Sequence, residues 1–370
     1  MNTEKYVTLI KVLNCGDIKH IDIPLNKDKR KHLIITGKNG SGKTSLLLKI
    51  EHAVSKGIRL TDDEIISTKE DIGSLPRSAY TYHGLGIMYN IYLNQLHTVY
   101  FGTDRSATKI LQEGSLLGNA KSSDKKSSNS ENQFMQYLVH RKFRQLLAME
   151  DGDHETVKKT TDWFHHVENM LSQILGYKVT LKFNTKEFSF LLMKEENNSV
   201  LFFHQLPGGY YALVNILTSI IMRTDPNESA VVLIDEIETH LHVEFQKMIL
   251  PLLVDFFPHI QFIVSTHSPF VVSSLSNAVI CDLEKNIITE DLSGYGYDTL
   301  VESFFGTSLI SDELKSKISR YDELDLKEDK TPEEHEEFSA LIKYLTSLPK
   351  YLPNELSLKI KSIELSNRSK

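Results

Sequence analysis

The residues Gly37, Lys38, Asn39, Gly40, Ser41, Gly42, Lys43 and Thr44 constrain this chain more than any other stretch. They fit G-x-x-x-x-G-K-[ST], the pattern of a phosphate-cradling P-loop. The preceding Leu33, Ile34, Ile35 and Thr36 form a short β-branched run that predicts a buried strand. The following Ser45, Leu46, Leu47, Leu48, Lys49 and Ile50 predict a helix start, continuing to about Ser55. Strand, glycine loop and helix is the context the pattern needs. Glycines let backbone N–H groups turn toward an anion, and the helix N-terminus adds the positive end of its dipole. Lys43 is placed to reach terminal phosphates, and the Thr44 hydroxyl to hold Mg2+.

Composition narrows the rest. The chain has 370 residues, enough for a large core, with 40% hydrophobic and 25% charged residues, ordinary for a soluble globular protein. Its formal net charge of -7 gives no bulk attraction to nucleic acid, so any such contact needs a local basic patch. Cys15 and Cys281 lack metal-ligand spacing, and a disulfide is not expected. Residues 1–5 lack a hydrophobic signal segment. The most apolar helix candidate, residues 212–222, is too short and too polar to span a bilayer. A cytoplasmic, non-membrane protein is the expectation.

Residues 6–12 and 18–25 read as a strand hairpin turning at Asn14, Cys15, Gly16 and Asp17. With the P-loop they make a first ATPase lobe, 1–56. The insertion, 57–205, is harder to read. Residues 87–96 are apolar, and Thr98, Val99, Tyr100 and Phe101 predict a buried strand. Residues 121–132 are polar and serine-rich and predict a mobile loop. Met135, Leu138, Val139, Phe143, Leu146 and Leu147 recur at helical spacing, as do Trp163, Val167, Met170, Leu171 and Ile174. Both stripes read as core faces, too short for a long coiled coil. Gly176 is placed as a helix stop. Residues 177–183, 188–193 and 200–203 read as strands.

A second ATPase lobe follows, 206–283. Leu206, Pro207, Gly208 and Gly209 open a helix running to about Met222; a glycine pair there is another anion site or a plain tight turn. Residues 230–234 are a continuous apolar run ending in Asp235 and Glu236, a buried parallel strand with two carboxylates at its C-terminal tip. Asp235 is placed to hold Mg2+ and Glu236 to deprotonate an attacking water. After an amphipathic helix, about 241–257, the strand 261–264 ends in Ser265, Thr266, His267, Ser268 and Pro269. A histidine at that tip is placed to sense a γ-phosphate. Residues 284–370 are charged and helix-prone, with turns at 294–297 and at Pro332, Pro349 and Pro353.

This order of motifs resembles the ABC-type ATPase heads of the SMC/RecF group, closest to stand-alone phage-defence and OLD-like ATPases. The strings I-D-E-I-E-T-H-L-H at 234–242 and Q-F-I-V-S-T-H-S-P at 261–269 carry the likeness, which covers about residues 5–55 and 200–283. It implies an α/β P-loop NTPase fold: an ABC-type head with a mixed β-sheet, a helical insertion and a C-terminal helical segment. It implies ATP and Mg2+ as cofactors, with nucleotide contacts at residues 37–44 and Ser45. It further implies metal ligation by Thr44 and Asp235 and catalysis by Lys43, Glu236 and His267. A signature loop at Leu206, Gly208 and Gly209 would touch the γ-phosphate held by a second copy. In such families two heads pack head to tail and ATP joins them. The chain departs from the pattern at Pro207, where the usual serine would offer a hydroxyl. Slow hydrolysis is the expectation. Gln95 and the pair Asp104 and Arg105 are alternative glutamine-loop positions, and His240 and His242 suit a dimer interface better than a metal.

The resemblance implies a homodimer or higher oligomer acting as an ATP switch on a separate effector, a nuclease or toxin, in anti-phage defence. About a hundred residues follow His267, without the acidic triad of a TOPRIM nuclease, an H-N-H motif or a zinc cluster. Gly296, Tyr297 and Asp298 followed by Phe304, Phe305 and Gly306 resemble the tail of Septu-type ATPases, a helical platform for a nuclease partner; a plain helical cap is equally open. The competing reading is a RecF-like DNA-binding ATPase, whose basic groove would have to come from residues 121–126 and the lysine-rich C-terminus. Salt-dependent, ATP-stimulated DNA binding would favour it. A transporter subunit fits poorly with the insertion and tail, and membrane fractionation discriminates it.

Overall fold

The computed structural model describes residues 4–15, 18–55, 85–89, 96–103, 129–226, 228–306, 308, 310–348 and 354–368. Gln95, Asp104, Arg105, the lysines of 121–126, Pro349 and Pro353 lie outside the described residues. The chain divides into two units, Met1–Gly294 and Tyr295–Lys370.

The described residues of the first unit form three sheets. Strands β1 (Val7–Cys15) and β2 (Ile18–Pro24) form the expected hairpin, and β4 (Leu85–Tyr89) pairs antiparallel on the other side of β1. The central sheet has six strands among the described residues. Its parallel members are β3 (His32–Thr36), β5 (His97–Phe101), β9 (Ala230–Ile234), β10 (Ile260–Ser265) and β11 (Ala278–Asp282). They run in the order β11-β3-β10-β9-β5, and β12 (Ile287–Glu290) adds an antiparallel edge beside β11. Every residue of β3, β9, β10 and β11 is buried, which is why these strands are apolar runs rather than alternating ones. This is the expected α/β P-loop architecture with a mixed sheet.

Helix α1 (Lys43–Ser55) begins inside the P-loop and buries Leu46, Leu47, Ile50 and Val54 in the core formed with β1, β2 and β3. Gln261, fully buried in β10, joins the hairpin to the central sheet. Its Oε1 accepts from the Val7 amide at 2.8 Å, and its Nε2 donates to the carbonyls of Val7 at 2.9 Å and Lys31 at 2.7 Å. Cys15 and Cys281 are both buried and free.

Strand β5 falls within the stretch 57–205 expected as an insertion but pairs with β9 in the central sheet, and helices and a small sheet lie between the two in the chain. Helix α2 (Asn129–Glu150) starts earlier than the polarity of 121–132 predicts, so residues 129–132 are helical rather than loop. The buried Glu131 explains this, since its carboxylate is bonded within the fold. The α2 stripe also differs from expectation. Its buried positions are Glu131, Phe134, Leu138, Gln145 and Ala148, while Leu146 and Leu147 are exposed on the other side of the helix. Helix α3 (His154–Leu175) is capped by Asp153, buries all five residues of its predicted stripe, and stops at left-handed Gly176. Strands β6 (Val179–Asn184), β7 (Ser189–Lys194) and β8 (Ser199–Leu201) form an antiparallel meander. A 3-10 turn, Phe203–Gln205, leads into α4 (Gly208–Arg223). Helix α5 (Val243–Phe256) joins β9 to β10, and a short α6 (Pro269–Val272) follows β10.

The second unit holds α7 (Asp312–Leu326), α8 (Pro332–Thr346) and α9 (Asn354–Arg368), with Tyr321, Leu345 and Ile363 at its core. Pro332 starts a helix rather than making a turn. It takes the first helical position, where its missing N–H costs nothing, behind a capping box of Thr331 and Glu334. Among the described residues no helix is long and apolar enough to cross a membrane.

Candidate nucleotide-binding site

The C-terminal tips of β3, β9 and β10 bring the predicted motifs to one edge of the sheet. The parallel register aligns Val264 with Ile234 and also with Ile34, so the three loops leave the sheet together. Residues 37–42 form the loop after β3. Gly37 has φ +140° and Gly42 φ +92°, conformations that a side chain resists. A Cβ at Gly37 would come within 2.8 Å of Ser41 Oγ. Lys38, Asn39, Gly40, Thr44 and Ser45 are exposed along this loop and the helix start, while Lys43 is buried. The Lys43 ammonium donates to the carbonyls of Gly37 at 2.9 Å and Lys38 at 3.0 Å, folding the lysine back across its own loop. Burial lowers its pKa, and Glu236, Asp235 and Glu238 oppose that shift.

Asp235 lies at the centre. The Thr44 hydroxyl donates to Asp235 Oδ2 at 2.7 Å, across 191 residues of chain. The Ser265 hydroxyl donates to Asp235 Oδ1 at 2.5 Å and accepts from the Glu236 amide at 2.7 Å. Tyr100 OH reaches Asp235 Oδ2 at 3.4 Å, and burial, together with that carboxylate, pushes the Tyr100 pKa up to about 12. Glu236 has φ +46°, an uncommon left-handed conformation for a non-glycine residue, and accepts from the Thr239 hydroxyl at 3.3 Å. The His267 amide donates to Glu238 Oε1 at 2.6 Å. Ser268 caps α6 and donates its hydroxyl to Gln246 Oε1 at 2.7 Å.

Four buried polar atoms at these strand tips and loops have no hydrogen-bond partner among the described residues: Thr36 Oγ1, Ser41 Oγ, Glu238 Oε2 and His267 Nε2. Of these, the Thr36 and Ser41 hydroxyls and the His267 ring can donate to an anion, whereas the Glu238 oxygen calls for a donor. The paired oxygens of Thr44 and Asp235 are hard donors of the kind Mg2+ takes. No cluster of three metal-ligating side chains occurs among the described residues, His240 and His242 included.

Among the described residues Leu206, Gly208 and Gly209 make no hydrogen bond to the P-loop, and of the two glycines Gly209 is the one that packs on α5. Pro207 and Gly208 are exposed at the start of α4, which has no side-chain cap. Gly209 faces Phe245, and a Cβ there would lie 2.7 Å from the ring; Tyr210 meets the same ring edge-on at 4.8 Å. Sequence reasoning missed Ser265, Tyr100, Glu238 and Phe245. Ser265 and Glu238 stand in the motif strings and Tyr100 in the predicted strand 98–101, but their partners lie on neighbouring strands and loops.

A family model described as "AAA domain, putative AbiEii toxin, Type IV TA system" matches residues 133–273, which take in Asp235, Glu236 and His267 but not the P-loop. Septu protein PtuA of Bacillus mycoides (strain KBAB4) is 25% identical over 351 residues, covering 86% of this chain and 47% of that protein. The chain is similar to Septu PtuA. It spans about half the length of that relative. Retron Ec83 probable ATPase of Escherichia coli is 34% identical over 122 residues, 30% of this chain and 22% of that protein. Among solved structures, the SMC head domain from Thermotoga maritima superposes with a TM-score of 0.39 at 14% identity, covering 77% of this chain and 98% of that one.

Proposed function

We propose that this chain binds ATP with Mg2+, hydrolyses it slowly, and pairs with a second copy in the ATP-bound state to regulate a separate effector, a nuclease or toxin, in anti-phage defence. The observation that carries the reading is the junction of Thr44, Asp235 and Ser265 beside Lys43. It joins a phosphate-cradling loop to a strand-tip carboxylate, the arrangement nucleotide chemistry requires. The names of the Septu and retron relatives support the defence setting.

In this reading the amides of residues 37–44 orient the phosphates and Lys43 leaves its loop carbonyls for their terminal oxygens. Thr44 and Asp235 would hold Mg2+, which would supply positive charge against the phosphate oxygens. Glu236 takes the proton of the attacking water, and His267 donates to the γ-phosphate. The exposed amides of Gly208 and Gly209 receive the phosphate held by the second copy, and Pro207, lacking a donor, leaves that contact weak. Turnover then stays below roughly 10 per second.

The deciding experiment is size-exclusion chromatography with light scattering of Glu236→Gln, with and without Mg·ATP. The expected outcome is a stable ATP-dependent dimer, absent in Lys43→Ala, which binds no nucleotide. A monomeric Glu236→Gln at saturating Mg·ATP would overturn the switch.

A further inference from the structure

The turn after β9 carries a third carboxylate, Glu238, two residues beyond Glu236. Its surroundings give it a definite task. Beyond the last β9–β10 register pair, Ile234 with Val264, four further bonds join the two strand tips, the first being that of the Ser265 hydroxyl to Asp235 Oδ1 at 2.5 Å. The Glu236 amide donates to Ser265 Oγ at 2.7 Å, and the Ile237 amide donates to the Ser265 carbonyl at 3.1 Å. The His267 amide donates to Glu238 Oε1 at 2.6 Å. Like the Ser265–Asp235 bond it runs from the β10 tip to a carboxylate, and it is charge-assisted and short. It reaches the backbone of the residue whose ring would face the γ-phosphate.

The turn itself is conformationally demanding. Glu236 at φ +46° and His240 at φ +68° flank Glu238 on either side. Left-handed non-glycine residues persist where surrounding bonds over-determine them. Glu238 also acts electrostatically on Lys43, together with Asp235 and Glu236, so it belongs to the site and not to an outer face. One polar atom on each partner remains unused. Glu238 Oε2 and His267 Nε2 are both buried without a hydrogen-bond partner among the described residues. Buried groups are seldom left so unless a ligand completes them.

We propose that Glu238 is the positioning residue of His267, setting the placement of the histidine loop through its bond to the His267 amide. The proposal rests on the nucleotide-switch reading, but the contact exists without nucleotide. Because the bond uses an oxygen that an amide side chain also offers, Glu238→Gln keeps it and Glu238→Ala loses it.

The test combines two readouts on the full chain. In steady-state assays, Glu238→Ala lowers kcat by on the order of ten- to a hundredfold, the range for a lost charge-assisted bond, a larger change than in the affinity for a fluorescent ATP analogue. Glu238→Gln restores most of the turnover. The double variant Glu238→Ala with His267→Ala turns over no more slowly than His267→Ala, because both changes disable one unit. In the nucleotide-free protein, hydrogen exchange at the His267 amide is slow in wild type and Glu238→Gln and fast in Glu238→Ala. Unchanged exchange in Glu238→Ala, a Glu238→Gln as slow in turnover as the alanine variant, or additive losses in the double variant would each overturn the proposal. A wild-type chain without ATP turnover would bring down the switch reading instead, and the exchange measurement would still judge the contact.

Discussion

His32 opens β3 five residues before the P-loop, and its ring is almost wholly buried. Its Nδ1 accepts the Phe262 amide at 3.0 Å, which fixes the neutral form. Burial, with a smaller contribution from Arg30, lowers its pKa from 6.5 to about 3. The unfolded chain therefore takes up a proton near pH 6.5 that the folded chain refuses until about pH 3. Stability is lost as pH falls through that window, at up to about 1.4 kcal/mol per pH unit. His32→Leu removes the titration and also strands the Phe262 amide, at a cost of roughly 1–3 kcal/mol near neutral pH. Urea denaturation at a series of pH values should show the wild-type advantage narrowing as pH falls below 6.5. A constant difference would mean that the ring protonates inside the fold.

Helix α5 is the element on which the two glycines of the 206–209 turn part company. At Gly208 a Cβ would meet nothing within 4 Å, whereas at Gly209 it would press into the Phe245 ring. Position 209 is glycine for packing, and position 208 has no such reason inside the subunit. Gly209→Ala should lose about 1–3 kcal/mol of stability by overpacking. Gly208→Ala should keep or gain up to about 1 kcal/mol. In the proposed dimer, however, the Gly208→Ala methyl group stands where the second copy's phosphate approaches. Chemical denaturation and ATP-dependent sizing of the two variants should therefore give opposite patterns: Gly208→Ala stable but failing to pair, Gly209→Ala destabilised. The strands and helices that build this edge were legible in the sequence, because a glycine loop, two buried apolar runs and helical stripes are local patterns. What joins them was not. Ser265 meets Asp235 only because the β9–β10 register sets the strand ends side by side, and Gln261 meets Val7 across 254 residues. The exposed Leu146 and Leu147 show the converse, since spacing alone does not tell which side of α2 the rest of the fold covers.

At the scale of the whole molecule, every residue assigned to nucleotide chemistry lies in the first unit, Met1–Gly294. That unit has its own extensive core around β1, β3, α1, β9, β10 and β11. The second unit, Tyr295–Lys370, encloses a far smaller one, Tyr321, Leu345 and Ile363 with a ring of half-buried neighbours. Its helices rely more on capping and on exposed ion pairs such as Arg320 with Glu337 and Lys327 with Glu334. Such pairs contribute little in water, about 0–1 kcal/mol each. Small cores of this kind are marginal on their own. A chain ending at Gly294 should therefore fold and bind an ATP analogue with wild-type affinity, measured by fluorescence titration. Residues 295–370 alone should unfold at lower urea than the full chain, measured by circular dichroism. If removing 295–370 abolished nucleotide binding, part of the site would belong to the helical unit, and the assignment of ATP chemistry to the three strand tips of β3, β9 and β10 would be incomplete.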